Sequence, residues 1–146
     1  MSERLAAMFD QAGLPHAERL EKVPNSRRSL MLGELARERG VLDALHPRLF
    51  DAYWVRGLDL GDERVLVSEG AAAGLDQSQI VAALEDPAYL DRVLASTREA
   101  VELGAGGVPA WLVDARLLIP GAQPHEVFAQ VLARLGYADS GTQGPS

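Results

Sequence analysis

Apolar residues recur at helical spacing from Leu5 to Leu103, and glycines at 13, 40, 74 and 104 break the pattern into segments. After Gly104 the period changes to two short apolar runs. The spacing predicts a first helix over 2–12, with Leu5, Met8, Phe9 and Ala12 on one face, then an irregular stretch between Pro15 and Pro24. A second helix starts at Asn25 or Ser26, either of which can cap it, and runs to Arg39 with Leu30, Met31, Leu32 and Leu35 as its stripe. The third covers 41–55, with Leu42, Leu45, Leu49, Phe50, Tyr53 and Trp54 on a broad face. Pro47 inside that span either kinks the helix or marks its true first turn.

A fourth helix runs over 62–73, and a fifth opens at Asp76 with Gln79 at the capping-box position. The sixth opens at Asp86-Pro87 and carries Leu90, Val93, Leu94 and Val101. Ala110–Val113 and Arg116–Ile119 then read as a β-hairpin. Asp114-Ala115 lacks the glycine that a two-residue turn prefers, which leaves a longer turn open. A last helix from about Pro124 presents Val127, Phe128, Val131, Leu132 and Leu135, and the Gly/Ser/Thr/Gln/Pro-rich stretch 138–146 is expected to be a disordered tail. The fold class is mostly α with a small antiparallel β-hairpin (α+β). The expected division is a helical domain over 1–104 and a C-terminal ββα unit over 105–137.

A chain of 146 residues, 47% hydrophobic and 24% charged, is the size and composition of one folded domain. The formal charge of −7 argues against nucleic acid or an anionic membrane surface as a partner, since both call for a basic face. No apolar run approaches the roughly 20 residues that span a bilayer. Glu3, Arg4 and Asp10 give the first residues an amphipathic pattern unlike a signal peptide, so the expected location is cytoplasmic. There is no cysteine. Disulfides, thiolate nucleophiles and thiolate-bound metals are therefore excluded for these residues.

The other reactive residue types do not assemble into a catalytic pattern. His16, His46 and His125 are far apart, with no partner at metal-ligand spacing, and His125 reads as a surface residue at the start of the last helix. Asp10/Glu18 and Asp59/Asp62 read as solvated charges or caps, and Ser68 and Ser96 lie in helical runs without a nearby histidine. The cluster Gly104–Gly107 precedes a strand instead of a helix, so it is no phosphate cradle. Tyr53 and Trp54 read as core residues, and Trp111 is left beside the glycine-rich loop. Nothing calls for a metal or a cofactor.

Gly107-Val108-Pro109 leads into the apolar strand Ala110–Val113, and Gly121-Ala122-Gln123-Pro124 opens the last helix. This order resembles the C-terminal ββα unit of DsbA-like thioredoxin-fold proteins. Asn25-Ser26-Arg27-Arg28 and Leu49-Phe50-Asp51-Ala52-Tyr53-Trp54 resemble their helical insert, and the branch looks like the FrnE type of cytoplasmic dithiol–disulfide isomerases. The resemblance implies a cis peptide before Pro109 and contact of Val108 and Pro109 with a substrate peptide. It also implies a thiolate in a Cys-x-x-Cys on a preceding strand–helix–strand unit. This sequence has no such motif and opens at the insert, and Gly106, Gly107 and Ala110 stand where bulkier residues are usual.

The expected class is therefore a disulfide oxidoreductase/isomerase relative that is redox-inactive as it stands. The alternatives are a peptide- or partner-binding assembly module using the cis-proline loop and helical groove, and a relative of glutathione-dependent isomerases. An unpaired apolar strand at Ala110–Val113 further predicts either a homodimer or a separate chain that supplies the redox half.

Overall fold

The computed structural model describes residues 3–17 and 23–137. The stretch 138–146, expected to be a disordered tail, lies outside the described residues. The elements in order are α1 (Glu3–Gln11), α2 (Arg27–Glu38), α3 (Leu42–Phe50), a π turn (Asp51–Val55), α4 (Glu63–Ala72), α5 (Gln77–Glu85), α6 (Pro87–Glu102), β1 (Ala110–Val113), β2 (Leu117–Pro120) and α7 (His125–Arg134). Among the described residues the chain is thus mostly helical with one small antiparallel sheet. It divides into two compact units, Met1–Ser96 and Thr97–Ser146, with the division falling inside α6.

The first unit holds the core. On α2 the stripe Met31, Leu32, Leu35 and Ala36 turns inward at helical spacing and meets Leu45 and Leu49 of α3, Leu66 of α4, and Ile80, Ala83 and Leu84 of α5. Leu32, Leu35, Leu45, Leu66 and Ile80 are fully buried. A glycine lets α4 and α5 approach closely: a Cβ on Gly70 would lie 2.7 Å from Ile80 Cδ1. Aspartates set the helix starts. The Asp62 carboxylate accepts from the Arg64 N–H, that of Asp76 from the Ser78 and Gln79 N–H groups, and that of Asp86 from the Ala88 N–H. At α2 the same part falls to Asn25, which accepts from the Arg27 N–H, whereas Ser26 makes no side-chain cap.

Two expectations about the third helical segment need correction, and the alternative left open at Pro47 is decided. It is not one α-helix to Val55, because α3 ends at Phe50 and the backbone widens into the π turn. Pro47 sits inside α3 and not in its first turn, so its missing N–H removes a bond that would have reached the Asp43 carbonyl. Phe50, expected on the apolar face, is half exposed against His46, whereas Ala52 in the π turn is buried. Tyr53 and Trp54 are half-buried and stacked edge to face, and Trp54 also meets Phe9 of α1.

In the second unit β1 pairs antiparallel with β2, placing Trp111 opposite Ile119 and Val113 opposite Leu117. The second strand therefore begins one residue later than the expected Arg116. Asp114 and Ala115 both take positive φ, 55° and 51°, and the Arg116 N–H donates to the Val113 carbonyl at 3.0 Å. A one-residue shift exchanges the two faces of a strand. Ile119 thus shares a face with Trp111, and Leu118 shares one with Leu112.

The face expected to be buried on α7 is only partly so. Val127, Phe128, Val131 and Leu135 are half-buried, and Leu132 is exposed. Among the described residues of this unit only Ile119 is a buried hydrophobic. Two strands of four residues are too small a surface to cover a ten-residue amphipathic helix.

Candidate functional site

The loop that leads into β1 is the candidate site. Gly104 ends α6 at φ +90°, a conformation that glycine adopts without penalty. From there to Val113 the chain carries no charged residue. The Val108–Pro109 peptide is cis, and the Pro109 carbonyl accepts a 2.8 Å hydrogen bond from the Gly121 N–H, which ties the loop to the far end of β2. Val108, held by its neighbours and not by packing, is 97% exposed. On the strand itself Trp111 stands edge-on to Phe128 of α7, with ring centroids 5.5 Å apart, and keeps half its surface open.

This arrangement offers backbone hydrogen-bonding groups and apolar side chains, and no acid, base or nucleophile. Asp114 and Arg116 pair with each other at 3.7 Å at the hairpin tip and are exposed. Such a surface presents main-chain and apolar contacts of the kind that recognition by strand pairing uses.

The structure also brings together two polar clusters that sequence spacing did not reveal. In the first unit Glu69 of α4 is 3% exposed, and its carboxylate meets Arg56 Nη1 at 2.8 Å and Arg48 Nε at 3.2 Å. The signal was present: Glu69 interrupts the stripe Leu66, Gly70 and Ala73, where a lone acid calls for a buried cation. Arg56 also binds Asp51 at 2.7 Å, so the cluster ties the π turn to α4. The second cluster is at His16. Its Nδ1 faces the Ala17 carbonyl at 3.2 Å and its Nε2 the Asp10 carboxylate at 3.1 Å, while the ring stands edge-on to Phe9. Of the other acids singled out, Asp59 accepts from the Gly61 N–H and Asp62 caps α4, while Glu18 lies outside the described residues. Among the described residues no three His, Asp or Glu side chains converge as metal ligands.

Only the doubly protonated imidazole donates from both nitrogens. The Ala17 carbonyl first, and then Asp10, therefore raise the His16 pKa above 6.5. A raised folded pKa means that this contribution is complete below the unfolded value and is lost as pH rises through the folded one. The Ala17 N–H donates to the Trp54 carbonyl, so the expected consequence is looser docking of the segment around His16 on Trp54 at higher pH. NMR titration of His16 checks this: Asp10→Asn is expected to lower its midpoint, and a midpoint unmoved by that change would remove Asp10 from the account.

The helical bundle followed by a ββα unit with a proline-led strand entry defines a thioredoxin-like α+β chain with a helical insert. The sequence matches the DSBA-like thioredoxin domain over residues 1–133, and the chain belongs to that family. Among solved structures it is similar to a probable DsbA oxidoreductase from Streptomyces coelicolor, with 34% identity and a TM-score of 0.80. The match covers 99% of this chain and 61% of that one, so the chain spans about three-fifths of that relative's length. Among curated proteins, none matches. No described helix is long and apolar enough to cross a membrane.

Proposed function

We propose that these 146 residues act as a polypeptide-holding part of a FrnE-type, cytoplasmic DsbA-like protein and carry no thiol–disulfide chemistry of their own. The observation that carries the reading is an exposed, uncharged strand entry at Val108 and Pro109 in a chain with no cysteine. Thiol–disulfide exchange proceeds by attack of a thiolate on a disulfide sulfur, and no residue here supplies one. The loop presents main-chain groups and Val108 to an extended chain, and Trp111 lies next to it as a further apolar contact. The resemblance of Gly107-Val108-Pro109 to the strand entry of DsbA-like proteins, which implies contact with a substrate peptide there, supports the class of ligand, an extended polypeptide.

The test uses reduced, unfolded insulin chains and insulin itself. The expected result is a change in Trp111 fluorescence, read in a Trp54→Phe background, on adding the unfolded chains, weakened by Val108→Asp, together with no insulin reduction above the uncatalysed rate. Catalytic turnover by the pure protein would overturn the claim of redox inactivity. A fluorescence signal indifferent to unfolded chains would overturn the claim of polypeptide holding.

A further inference from the structure

The segment after α1 meets the rest of the first unit at Trp54. The Trp54 carbonyl accepts a 2.6 Å hydrogen bond from the Ala17 N–H, and its ring lies 5.3 Å from that of Phe9, itself edge-on to His16. Trp54 belongs to the π turn Asp51–Val55. There the Arg56 N–H donates to the Asp51 carbonyl, five residues back, at 3.0 Å, and the Leu58 N–H to the Ala52 carbonyl, six back, at 2.8 Å. Had the α-helix continued, the Leu58 N–H would have taken the Trp54 carbonyl, its partner four residues back. The widening therefore leaves that carbonyl open to Ala17. Closing the turn to α geometry would also rotate the residues after Asp51 about the helix axis and carry the Trp54 ring away from Phe9.

A π turn is rare beside the α-helix, and here side chains hold it. Arg56 Nε binds the Asp51 carboxylate at 2.7 Å, so the two residues whose backbone groups close the widened turn are also clipped through their side chains. Arg56 Nη1 then reaches Glu69 of α4 at 2.8 Å. The Glu69 side chain is 4% exposed, which anchors the clip to the packed bundle by a charge-assisted bond. Arg48 binds the same carboxylate at 3.2 Å from α3, ahead of the turn.

We propose that Arg56 is a positioning residue for α1: it clips the π turn open, and the open turn presents the carbonyl and ring of Trp54 on which the α1 segment docks. Breaking the clip lets the turn close toward α geometry and releases the α1 segment while the bundle stays folded. The π turn is then one two-state element that a buried ion cluster and a docked helix both bias. All of these residues lie in the first unit, and the inference is independent of the polypeptide-holding reading.

Hydrogen exchange on the full chain tests this, with the Ala17 amide reporting the docking and the Leu35 amide of α2 reporting the bundle. Arg56→Met is expected to speed Ala17 exchange by about tenfold or more relative to Leu35. It is also expected to change the fluorescence of Trp54, read in a Trp111→Phe background. Arg48→Met takes a cation from the same carboxylate and leaves the clip in place, so it is expected to leave the ratio of Ala17 to Leu35 exchange unchanged. Asp51→Asn keeps both arginines on Glu69 and weakens only the exposed half of the clip. Its expected effect on Ala17 has the same sign and is smaller, and it serves as the test if Arg56→Met does not fold. A ratio unmoved by Asp51→Asn overturns the proposal. So does an Ala17 amide that is unprotected in the wild-type chain. A ratio raised equally by Arg48→Met and Arg56→Met overturns it as well, since the cluster would then act on overall stability alone.

Discussion

Leu32→Ala is expected to lower the unfolding free energy by about 3–5 kcal/mol, whereas Leu132→Ala on α7 lowers it by less than about 1 kcal/mol. The residue type and the change are the same, and only the surroundings differ. Leu32 has no exposed surface and lies where α2 meets α4 and α5, close enough to Gly70 that a Cβ there would sit 3.4 Å from its Cδ1. Truncation leaves a cavity that close-packed helices cannot collapse around. Leu132 is 42% exposed, so its truncation removes little buried area and opens no void. Urea denaturation of the two variants checks the pair. Equal losses would mean that Leu132 is buried in solution to an extent its 42% exposure does not allow.

Truncating Arg48 and Arg56 together to alanine is expected to cost about 3 kcal/mol at neutral pH. Both guanidiniums are roughly two-fifths exposed, whereas the Glu69 side chain is 4% exposed. The loss of cations that water already reaches is cheap in itself. The penalty comes from the carboxylate left in the interior without a partner. The figure is set at the low end of the range for buried pairs because the truncated arginines open a path for water to Glu69. Adding Glu69→Leu to the double variant is expected to recover much of the loss, since a buried ion cluster replaced by apolar side chains is often neutral. Chemical denaturation of the double and triple variants separates this from simple loss of arginine packing, which the third change would not restore.

Much of this protein follows from local sequence. Helical spacing and the glycine stops locate the helices, and Asp62, Asp76 and Asp86 mark three helix starts, because capping and periodicity depend on neighbours within one or two turns. The change of period after Gly104 and the order Gly-Val-Pro, strand, strand, helix made the ββα unit and the DsbA-like family legible, as the match over residues 1–133 bears out. The lack of any thiol is a property of composition and needs no coordinates.

Other features needed the tertiary structure. The widening at Asp51–Val55 is tied down by Arg56, which reaches both Asp51 and Glu69; the break that Glu69 makes in the α4 stripe asks for a cation, but spacing does not say that it comes from thirteen residues earlier. The hairpin register turned on two positive φ angles, at Asp114, a residue type that tolerates that region, and at Ala115, which no turn rule singles out. Which main-chain groups of the two strands find partners is likewise a tertiary fact. It depends on which way each carbonyl points once the register is set, and on a glutamine three residues past Pro120 that folds back to cover one of them. Spacing along the chain places side chains on faces. Which backbone groups remain without a partner is decided only when strands have neighbours.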